Sequence, residues 1–278
     1  MRAALGPHDL VLVLGAAAFR QYPYLEGPFV PRTTRVVVVS ADAAETNRSP
    51  VSLAVVADPG VVAAALVGLV HERLPTTDRR RKLPPRLPEP RHGEPLRAAH
   101  VFQQLADGLT PDTLLVEECP SSRPDLHARI AVRAPLGFLS AAMGGLGFAF
   151  PAAIGFRIAD GRRPVVAVVG DGSSLYCIQA LWSAAHYGVG LLFVVLANGG
   201  YSVMDRLAER YGDEAPVWPS FTEVSVSGLA TSLGCAARRI DTYRDLAAAL
   251  DEVLPSLATR SEPLLLEVAV RPKEVFQP

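Results

Sequence analysis

Short apolar runs in the first part of the chain are followed by a segment of helix length. The runs at 10–14, 35–39 and 53–57 are bounded by turn residues, a pattern typical of buried parallel strands. The stretch 60–74 is apolar and follows Asp58 and Pro59, a pair that resembles a helix N-cap with proline at the first helical position. The pattern predicts a small parallel α/β unit.

The same alternation continues over a longer distance from residue 98 onward. We predict strands at 113–116, 164–169, 191–196, 235–240 and 264–270. We predict helices at 98–108, 124–131, 145–159, 173–187, 221–233 and 243–259. Strands that are separated by helices form βαβ units, so this part is expected to be a doubly wound parallel α/β sheet with helices on both faces.

Residues 75–97 separate the two parts and are rich in proline and basic residues, as the text PTTDRRRKLPPRLPEPRHGEPLR shows. This composition is typical of an extended linker. The basic run at 79–82 suits either a solvated linker or a contact with phosphates, and we favour the linker. We therefore predict a partial domain at 1–74, a linker at 75–97 and a complete domain at 98–278.

Composition narrows the class of protein. Apolar residues make up 49% of the chain and charged residues 20%, which excludes wholesale disorder. The formal net charge of −1 provides no basic field for nucleic acid or an anionic membrane. Three separated cysteines favour a reducing, cytoplasmic setting.

The uncharged segment 134–156 is long enough to span a bilayer, but its prolines and glycines favour a turn and a buried helix.

Two polar turns carry the candidate chemistry. Gly170, Asp171 and Gly172 follow one predicted strand, and Asn198 follows the next. Carboxylate, amide and backbone carbonyl oxygens, the last from Gly200, suit Mg²⁺, which usually also binds phosphates and water. The helix that is predicted to start at Ser173 would present N–H groups to a phosphate. The residues alone leave two interpretations open: a metal-bridged diphosphate site, or an ordinary strand–turn–helix with a capping aspartate.

The spacing of GDG and Asn198, 27 residues after Asp171, resembles the motif of thiamine diphosphate enzymes. The surrounding segment 144–202, from GGLGF to ANGGYS, is similar to benzoylformate decarboxylases and related 2-oxo-acid decarboxylases. In that family the motif ends in two asparagines, and here Ala197 replaces the first. The resemblance implies that Asp171, Asn198 and the Gly200 carbonyl bind Mg²⁺.

The resemblance also implies further cofactor contacts. Gly172 and Ser173 match the positions that contact the diphosphate. Leu146 matches the bulky residue that bends the cofactor, and the Gly144 carbonyl would accept a hydrogen bond from its amine. Ser121 falls in another cofactor-contacting turn, although its neighbours depart from the family pattern. The adjacent Glu118 suits either this turn or a cap for the helix predicted at 124–131.

Candidate catalytic and substrate residues come from the same resemblance. Tyr22, in FRQYPY, lies where benzoylformate decarboxylases have a histidine that helps with proton transfer. A phenol is a poorer proton relay near neutral pH. Val203 and Leu207 match positions that face the substrate, where the benzoylformate enzymes have a small residue and an aromatic one. The aliphatic pair indicates an aliphatic or differently shaped 2-oxo acid, a benzoylformate-like substrate stays open, and both residues equally suit an ordinary core.

The resemblance covers only the end of the family's middle domain and its diphosphate-binding domain. The pyrimidine-binding domain, which carries the glutamate that activates the cofactor, has no counterpart in this sequence. We therefore expect the diphosphate-binding subunit or fragment of a thiamine diphosphate- and Mg²⁺-dependent 2-oxo-acid decarboxylase. It would need a pyrimidine-binding domain from elsewhere, either a separate chain or the rest of a longer one, and would form an oligomer. Two alternatives remain open: a carboligase of the acetolactate synthase type, and a cofactor-binding or scaffold protein without turnover of its own.

Overall fold

The computed structural model describes residues 2–19, 26–71, 83–91, 93–132, 134–141, 144–210, 212 and 218–272. The chain divides into two compact units, Met1–Arg80 and Arg81–Pro278. Of the predicted linker, the described residues 83–91 and 93–97 form neither helix nor strand. The basic run at 79–82 lies outside the described residues.

The first unit contains a three-stranded parallel sheet in the order β1-β2-β3. Its strands are β1 (Leu10–Leu14), β2 (Arg35–Ser40) and β3 (Leu53–Val56), and its helices are α1 (Arg2–Leu5), α2 (Ala43–Arg48) and α3 (Pro59–Val67). The Asp58 carboxylate accepts a hydrogen bond from the Val61 N–H at 2.9 Å, so the predicted N-cap is confirmed. The helix ends earlier than predicted, at Val67.

The second unit contains a six-stranded sheet in the order β5-β4-β6-β7-β9-β8, and every pair of strands is parallel. Its strands are β4 (Leu114–Glu118), β5 (Phe138–Ser140), β6 (Val165–Gly170), β7 (Leu192–Ala197), β8 (Ala236–Ile240) and β9 (Leu264–Ala269). Its helices are α4 (Ala98–Gly108), α5 (Arg123–Arg129), α6 (Ala149–Ala159), α7 (Asp171–Ser174), α8 (Ala180–His186), α9 (Ser202–Arg210), α10 (Val226–Ser232) and α11 (Tyr243–Val253). The predicted parallel α/β fold is confirmed.

Two hydrophobic clusters cover the two faces of this sheet. Alternate residues of β6 point to opposite faces, so Val166 and Val168 join one cluster while Val165 and Val169 join the other. The first cluster includes side chains of α4, α5 and α11, and the second includes side chains of α6, α8 and α10. Because both faces are covered by helices, the ends of the central strands are held in a rigid, buried frame.

Several helices predicted from sequence differ in their bounds. The helix predicted at 243–259 ends at Val253 and continues as a 3₁₀ segment. Helix α6 begins at Ala149 rather than 145, because Gly144 and Gly147 have left-handed φ angles of 70° and 93°. The helix predicted at 173–187 is interrupted between α7 and α8 by a turn with i→i+3 hydrogen bonds. The helix predicted at 221–233 is shorter and begins at Val226.

The sequence analysis also missed α9, the short strand β5 and the short helices α1 and α2. The uncharged segment 134–156 forms a turn, a strand and part of α6, rather than a single long helix. No helix in the described part of the chain is long and apolar enough to cross a membrane.

Candidate functional site

The turns after β6 and β7 meet at the carboxyl edge of the second sheet. These strands are paired neighbours, with Gly170 opposite Leu196, so the residues that follow them lie side by side. Asp171 joins the two turns through its carboxylate. One oxygen, Oδ1, accepts a hydrogen bond from the Gly172 N–H at 2.8 Å, and Oδ2 accepts one from the Gly199 N–H at 2.6 Å. The two predicted turns therefore form one structural unit.

Asn198 is oriented by contacts within its own turn. Its Oδ1 accepts a hydrogen bond from the Gly200 N–H at 3.1 Å, and its Nδ2 donates one to Ser202 Oγ at 3.1 Å. Gly199 has a left-handed φ of 75°, a conformation that favours glycine. Its carbonyl accepts a hydrogen bond from the Phe221 N–H at 3.1 Å. Hydrogen bonds of the Asn198 side chain and of the Gly199 carbonyl therefore hold the turn in place.

The oxygen atoms of these turns are of the kind that bind a hard divalent cation. Asp171 is 5% exposed, and burial raises the pKa of its carboxyl, while hydrogen bonds from the Gly199 and Gly172 N–H groups act in the opposite direction. The described residues contain no group of three or more His, Cys, Asp or Glu side chains that would hold a metal by themselves. A cation here would need the amide and carbonyl oxygens of the neighbouring turn as well, and these are ligands that Mg²⁺ accepts.

Tyr201 forms a wall beside the GDG turn. A Cβ atom at Gly172 would lie 2.5 Å from Tyr201 Cε1 and 3.0 Å from Phe221 Cζ, so only glycine fits against these rings. The two rings meet edge to face, with centroids 5.1 Å apart. Burial raises the pKa of the Tyr201 phenol, and the neighbouring Tyr176 adds to the effect. Tyr201 was missed in the sequence analysis because its partner in this contact is a glycine 29 positions earlier.

Ser121 connects the end of β4 to helix α9. It lies in a short 3₁₀ turn, Pro120–Ser122, and its Oγ accepts a hydrogen bond from the Val203 N–H at 3.0 Å. Ser121 and Asn198 line one cavity of about 320 Å³. Val203 and Leu207 are both half-buried on α9. The structure therefore brings Ser121, Asn198 and the start of α9 to the same edge of the sheet.

Glu118 caps helix α6, which corrects the alternative that it caps the helix predicted at 124–131. Its carboxylate is 2% exposed and accepts hydrogen bonds from the N–H groups of Gly147, Phe148 and Ala149 at 2.7–2.8 Å. This is the position at which a carboxylate satisfies the free donors of a helix N-terminus. Glu118 thereby fixes the segment that leads into α6.

The other predicted site residues lie in three places. Gly144 is exposed and Leu146 is half-buried, and both lie just before the segment that Glu118 holds. Gly172 and Ser173 lie in α7, where Ser173 is buried. Tyr22 lies outside the described residues.

A larger cavity of about 1220 Å³ also opens at this edge of the sheet, and Asp171, Asn198 and Phe221 are among its lining residues. Its far side is lined by residues that follow β8 and β9, such as Asp241 and Arg271. The carboxyl ends of parallel strands are where α/β folds usually bind ligands.

The curated relatives of this chain include decarboxylases from two bacteria. Benzoylformate decarboxylase of Pseudomonas aeruginosa is 35% identical over 99% of this chain and 50% of the relative. An alpha-keto-acid decarboxylase of Mycobacterium avium is 30% identical over 65% of this chain and 31% of the relative. The chain spans about half the length of the first of these relatives and about a third of the second.

Solved structures agree with these relatives. The crystal structure of benzoylformate decarboxylase from Polynucleobacter necessarius matches with a TM-score of 0.89 and 26% identity, over 100% of this chain and 51% of the other. The thiamine diphosphate-dependent 4-hydroxybenzoylformate decarboxylase of Rhodococcus jostii RHA1 matches with a TM-score of 0.86 and 28% identity, over 99% and 51%.

A protein-family model covers most of the second unit, including the turns that carry Asp171 and Asn198. The model is that of the thiamine pyrophosphate enzymes, C-terminal TPP binding domain, and it matches residues 124–268, more than half of the chain. The protein therefore belongs to the thiamine pyrophosphate enzymes, through their C-terminal cofactor-binding domain.

Proposed function

We propose that the chain binds thiamine pyrophosphate and Mg²⁺ at the carboxyl edge of β6 and β7, as the diphosphate-binding part of a 2-oxo-acid decarboxylase. The main supporting observation is the Asp171 carboxylate, which joins the two turns at 2.6 Å from the Gly199 nitrogen. Asp171 and Asn198, with the Gly200 carbonyl, would hold the cation. Gly172 and Ser173 would contact the diphosphate, since the start of a helix favours an anion.

The chain's own residues would position the cofactor and exclude water around it. Tyr201 and Phe221 cover one side of the GDG turn. Glu118 holds the segment that carries Gly144 and Leu146, which would orient the pyrimidine end of the cofactor. When bound, thiamine pyrophosphate supplies the electron sink that the loss of CO₂ from a 2-oxo acid requires.

We further propose that turnover requires a pyrimidine-binding domain in addition to the residues of this sequence. The family members that resemble this chain are about twice its length, and no segment here is assigned to that domain. Proton transfer by a positioned acid contributes about 10²–10⁴-fold to a rate, so its loss would suppress turnover. We also propose that the chain self-associates, because apolar side chains such as Leu136 and Ile158 are more than 60% exposed.

A steady-state assay tests this proposal. The purified chain, with saturating Mg²⁺ and thiamine pyrophosphate, is given a panel of 2-oxo acids, alone and with a candidate pyrimidine-domain chain. We expect turnover only in the presence of the second chain. Turnover of about 1 s⁻¹ or more by the chain alone, which lies within the usual range for enzymes, would contradict the need for a partner. Sedimentation of the pure chain as a monomer at micromolar concentration would contradict self-association.

Val203 and Leu207 lead to a proposal about substrate class. If this aliphatic pair on α9 faces the substrate, the complemented enzyme should prefer aliphatic 2-oxo acids to benzoylformate. Pocket differences of one methylene change selectivity by about 10–200-fold, so a preference in this range is expected in kcat/KM. The Leu207→Phe variant should shift that ratio toward benzoylformate. A strong preference of the unmodified protein for benzoylformate would contradict the assignment of both residues.

A further inference from the structure

The cavity of about 320 Å³ beside Asn198 is strongly basic. Its lining includes Arg97, Arg129 and Arg271, together with Ser121 and Asn198. Among the described residues of that lining, Asp125 is the acidic one. Arg97 also lies 3.5 Å from the Glu94 carboxylate, so three guanidinium groups stand against two carboxylates. This still leaves an excess of positive charge in a small concave space, which is the electrostatic setting of an anion site.

Two of these arginines are not neutralised within the described structure. Arg271 makes no side-chain hydrogen bond or ion pair with another described residue. A hydrogen bond from the Arg91 N–H lowers the pKa of Glu94, and the charges of Arg97 and Arg271 lower it further. Arg129 Nη1 donates to the backbone carbonyl of Pro85 and to the side-chain Oε1 of Gln103, both at a long 3.4 Å. A guanidinium group with so few acceptors can still make strong, charge-assisted hydrogen bonds.

Neutral donors surround the same space. Ala98 and Ala99, the first residues of α4, line the cavity, and the first turn of this 11-residue helix contains no acidic residue. The N–H groups at a helix N-terminus have no acceptor within the helix. The Ser121 hydroxyl accepts a hydrogen bond from Val203, which leaves its proton free to be donated.

His100 lies in the positive potential that Arg97 and Arg129 create at this end of α4. Its Nδ1 accepts a hydrogen bond from the Arg97 N–H at 3.1 Å, which fixes the ring against the helix N-terminus. Burial lowers the pKa of His100 and the charge of Arg97 lowers it further, while the Glu94 charge and a hydrogen bond with Pro88 act in the opposite direction. The net lowering disfavours the protonated imidazole, as expected beside positively charged arginines.

We propose that this cavity binds a phosphate group, held by Arg97, Arg129 and Arg271 together with the N-terminus of α4. Planar guanidinium groups bind phosphate through paired N–H donors, and helix N-termini add backbone donors. The site goes beyond the proposed diphosphate site at Asp171, although Ser121 and Asn198 belong to both and Arg271 also lines the larger cavity. Its phosphate comes either from the far end of the cofactor's diphosphate or from a separate phosphate-bearing ligand.

Titration calorimetry with inorganic phosphate tests the site in the full chain, without Mg²⁺ or cofactor. We expect phosphate to bind to the unmodified protein, and its affinity to fall at least tenfold in Arg271→Gln and in Arg129→Gln. Arg162→Gln, which removes the same charge from an exposed turn, is the matched control and should bind normally. Thermal unfolding of each variant checks the fold, and Arg271→Gln removes no internal hydrogen bond of the described residues. Absence of phosphate binding, or an equal loss in Arg162→Gln, would overturn the proposal.

Two further arms separate the source of the phosphate and the two proposals. If Mg²⁺ and thiamine pyrophosphate displace the inorganic phosphate, the cavity holds the end of the cofactor; if both bind together, it serves a second ligand. Asp171→Ala should lose cofactor binding and keep phosphate binding, because Asp171 does not line this cavity. A protein that binds phosphate but never the cofactor would support this site and contradict the function proposed above. Loss of phosphate binding in Asp171→Ala, with the fold intact, would overturn a site separate from Asp171.

Discussion

The two parallel sheets of the molecule are built from similar strands but differ in how they are covered. Leu10, Leu12 and Leu14 of β1 are between 38% and 50% exposed, and Leu53 and Val56 of β3 exceed 50%. In contrast, β6 and β7 are buried except for their last residues. Parallel sheets are usually covered on both faces, and only the second unit meets this condition among the described residues. The apolar runs predict strands equally well in both units, but they do not predict which strands form a rigid frame.

The carboxyl edges of the two sheets differ in a second way. In the second unit, Glu117, Glu118 and Glu267 are almost completely buried, and each accepts at least one backbone N–H. In the first unit, the carboxylates that cap α2 and α3, Asp42 and Asp58, are exposed. Buried carboxylates hold their loops more firmly, because breaking them leaves donors unsatisfied away from water. The second edge is therefore preorganised for a ligand.

The largest expected effect comes from removing one of these buried carboxylates. Glu118→Ala leaves three N–H groups of α6 without their acceptor, and we expect a loss of about 3 kcal/mol in the free energy of unfolding, because hydrogen bonds to charged groups contribute about 1.5–3 kcal/mol. Urea denaturation measures the change. Glu223→Ala, at an exposed position, is the control and should change stability by less than about 0.5 kcal/mol. An equal loss of unfolding free energy in the two variants would mean that the Glu118 cap does not stabilise the fold.

Gly172→Ala should push against the Tyr201 ring that covers the GDG turn. The added Cβ would lie 2.5 Å from Tyr201, and relief of such a clash costs about 1–3 kcal/mol. In Gly155→Ala, within α6, nothing lies within 4 Å of the new Cβ, and the variant should be more stable by about 0.5–1 kcal/mol. Thermal melts of both variants, with tyrosine fluorescence for the site, provide the comparison. A stabilised Gly172→Ala variant would show that Tyr201 moves aside freely.

The smallest effect is expected in the first unit. Asp58→Ala removes the exposed cap of α3, and loss of such a cap costs about 1 kcal/mol in the stability of the helix. Hydrogen exchange of the α3 amides measures this local effect, while amides of β6 and β7 serve as the internal control. Faster exchange in β6 and β7 would show that the two units do not respond separately.

Much of the fold could be predicted from local patterns. The bounds of β1 and α4 are as predicted, because apolar runs and helical spacing are properties of neighbouring residues. The junction of the Asp171 and Asn198 turns was also expected, since both follow strands of one parallel sheet. Local sequence did not reveal the role of Glu118, whose partners lie 29–31 positions later. The interruption between α7 and α8 contains no proline or glycine and likewise gave no signal.

The basic cavity illustrates the same limit. Arg97, Arg129 and Arg271 are far apart in the chain, and each alone is typical of a solvated surface. Only the packing of α4, α5 and the end of β9 around one space brings them together. Long-range contacts of this kind depend on the tertiary fold, so a local pattern does not contain them.

The most direct test of the proposed cofactor site is calorimetric titration of thiamine pyrophosphate into the full chain, with and without Mg²⁺. We expect binding by the unmodified protein only when Mg²⁺ is present, and no detectable binding by Asp171→Ala, with Asp241→Ala at the far side of the larger cavity as control. A helix N-terminus alone contributes about 0.3–2 kcal/mol toward an anion, which is too little to replace the cation. Binding by Asp171→Ala at the affinity of the unmodified protein would contradict the assignment of Asp171 and Asn198 as the metal and diphosphate site.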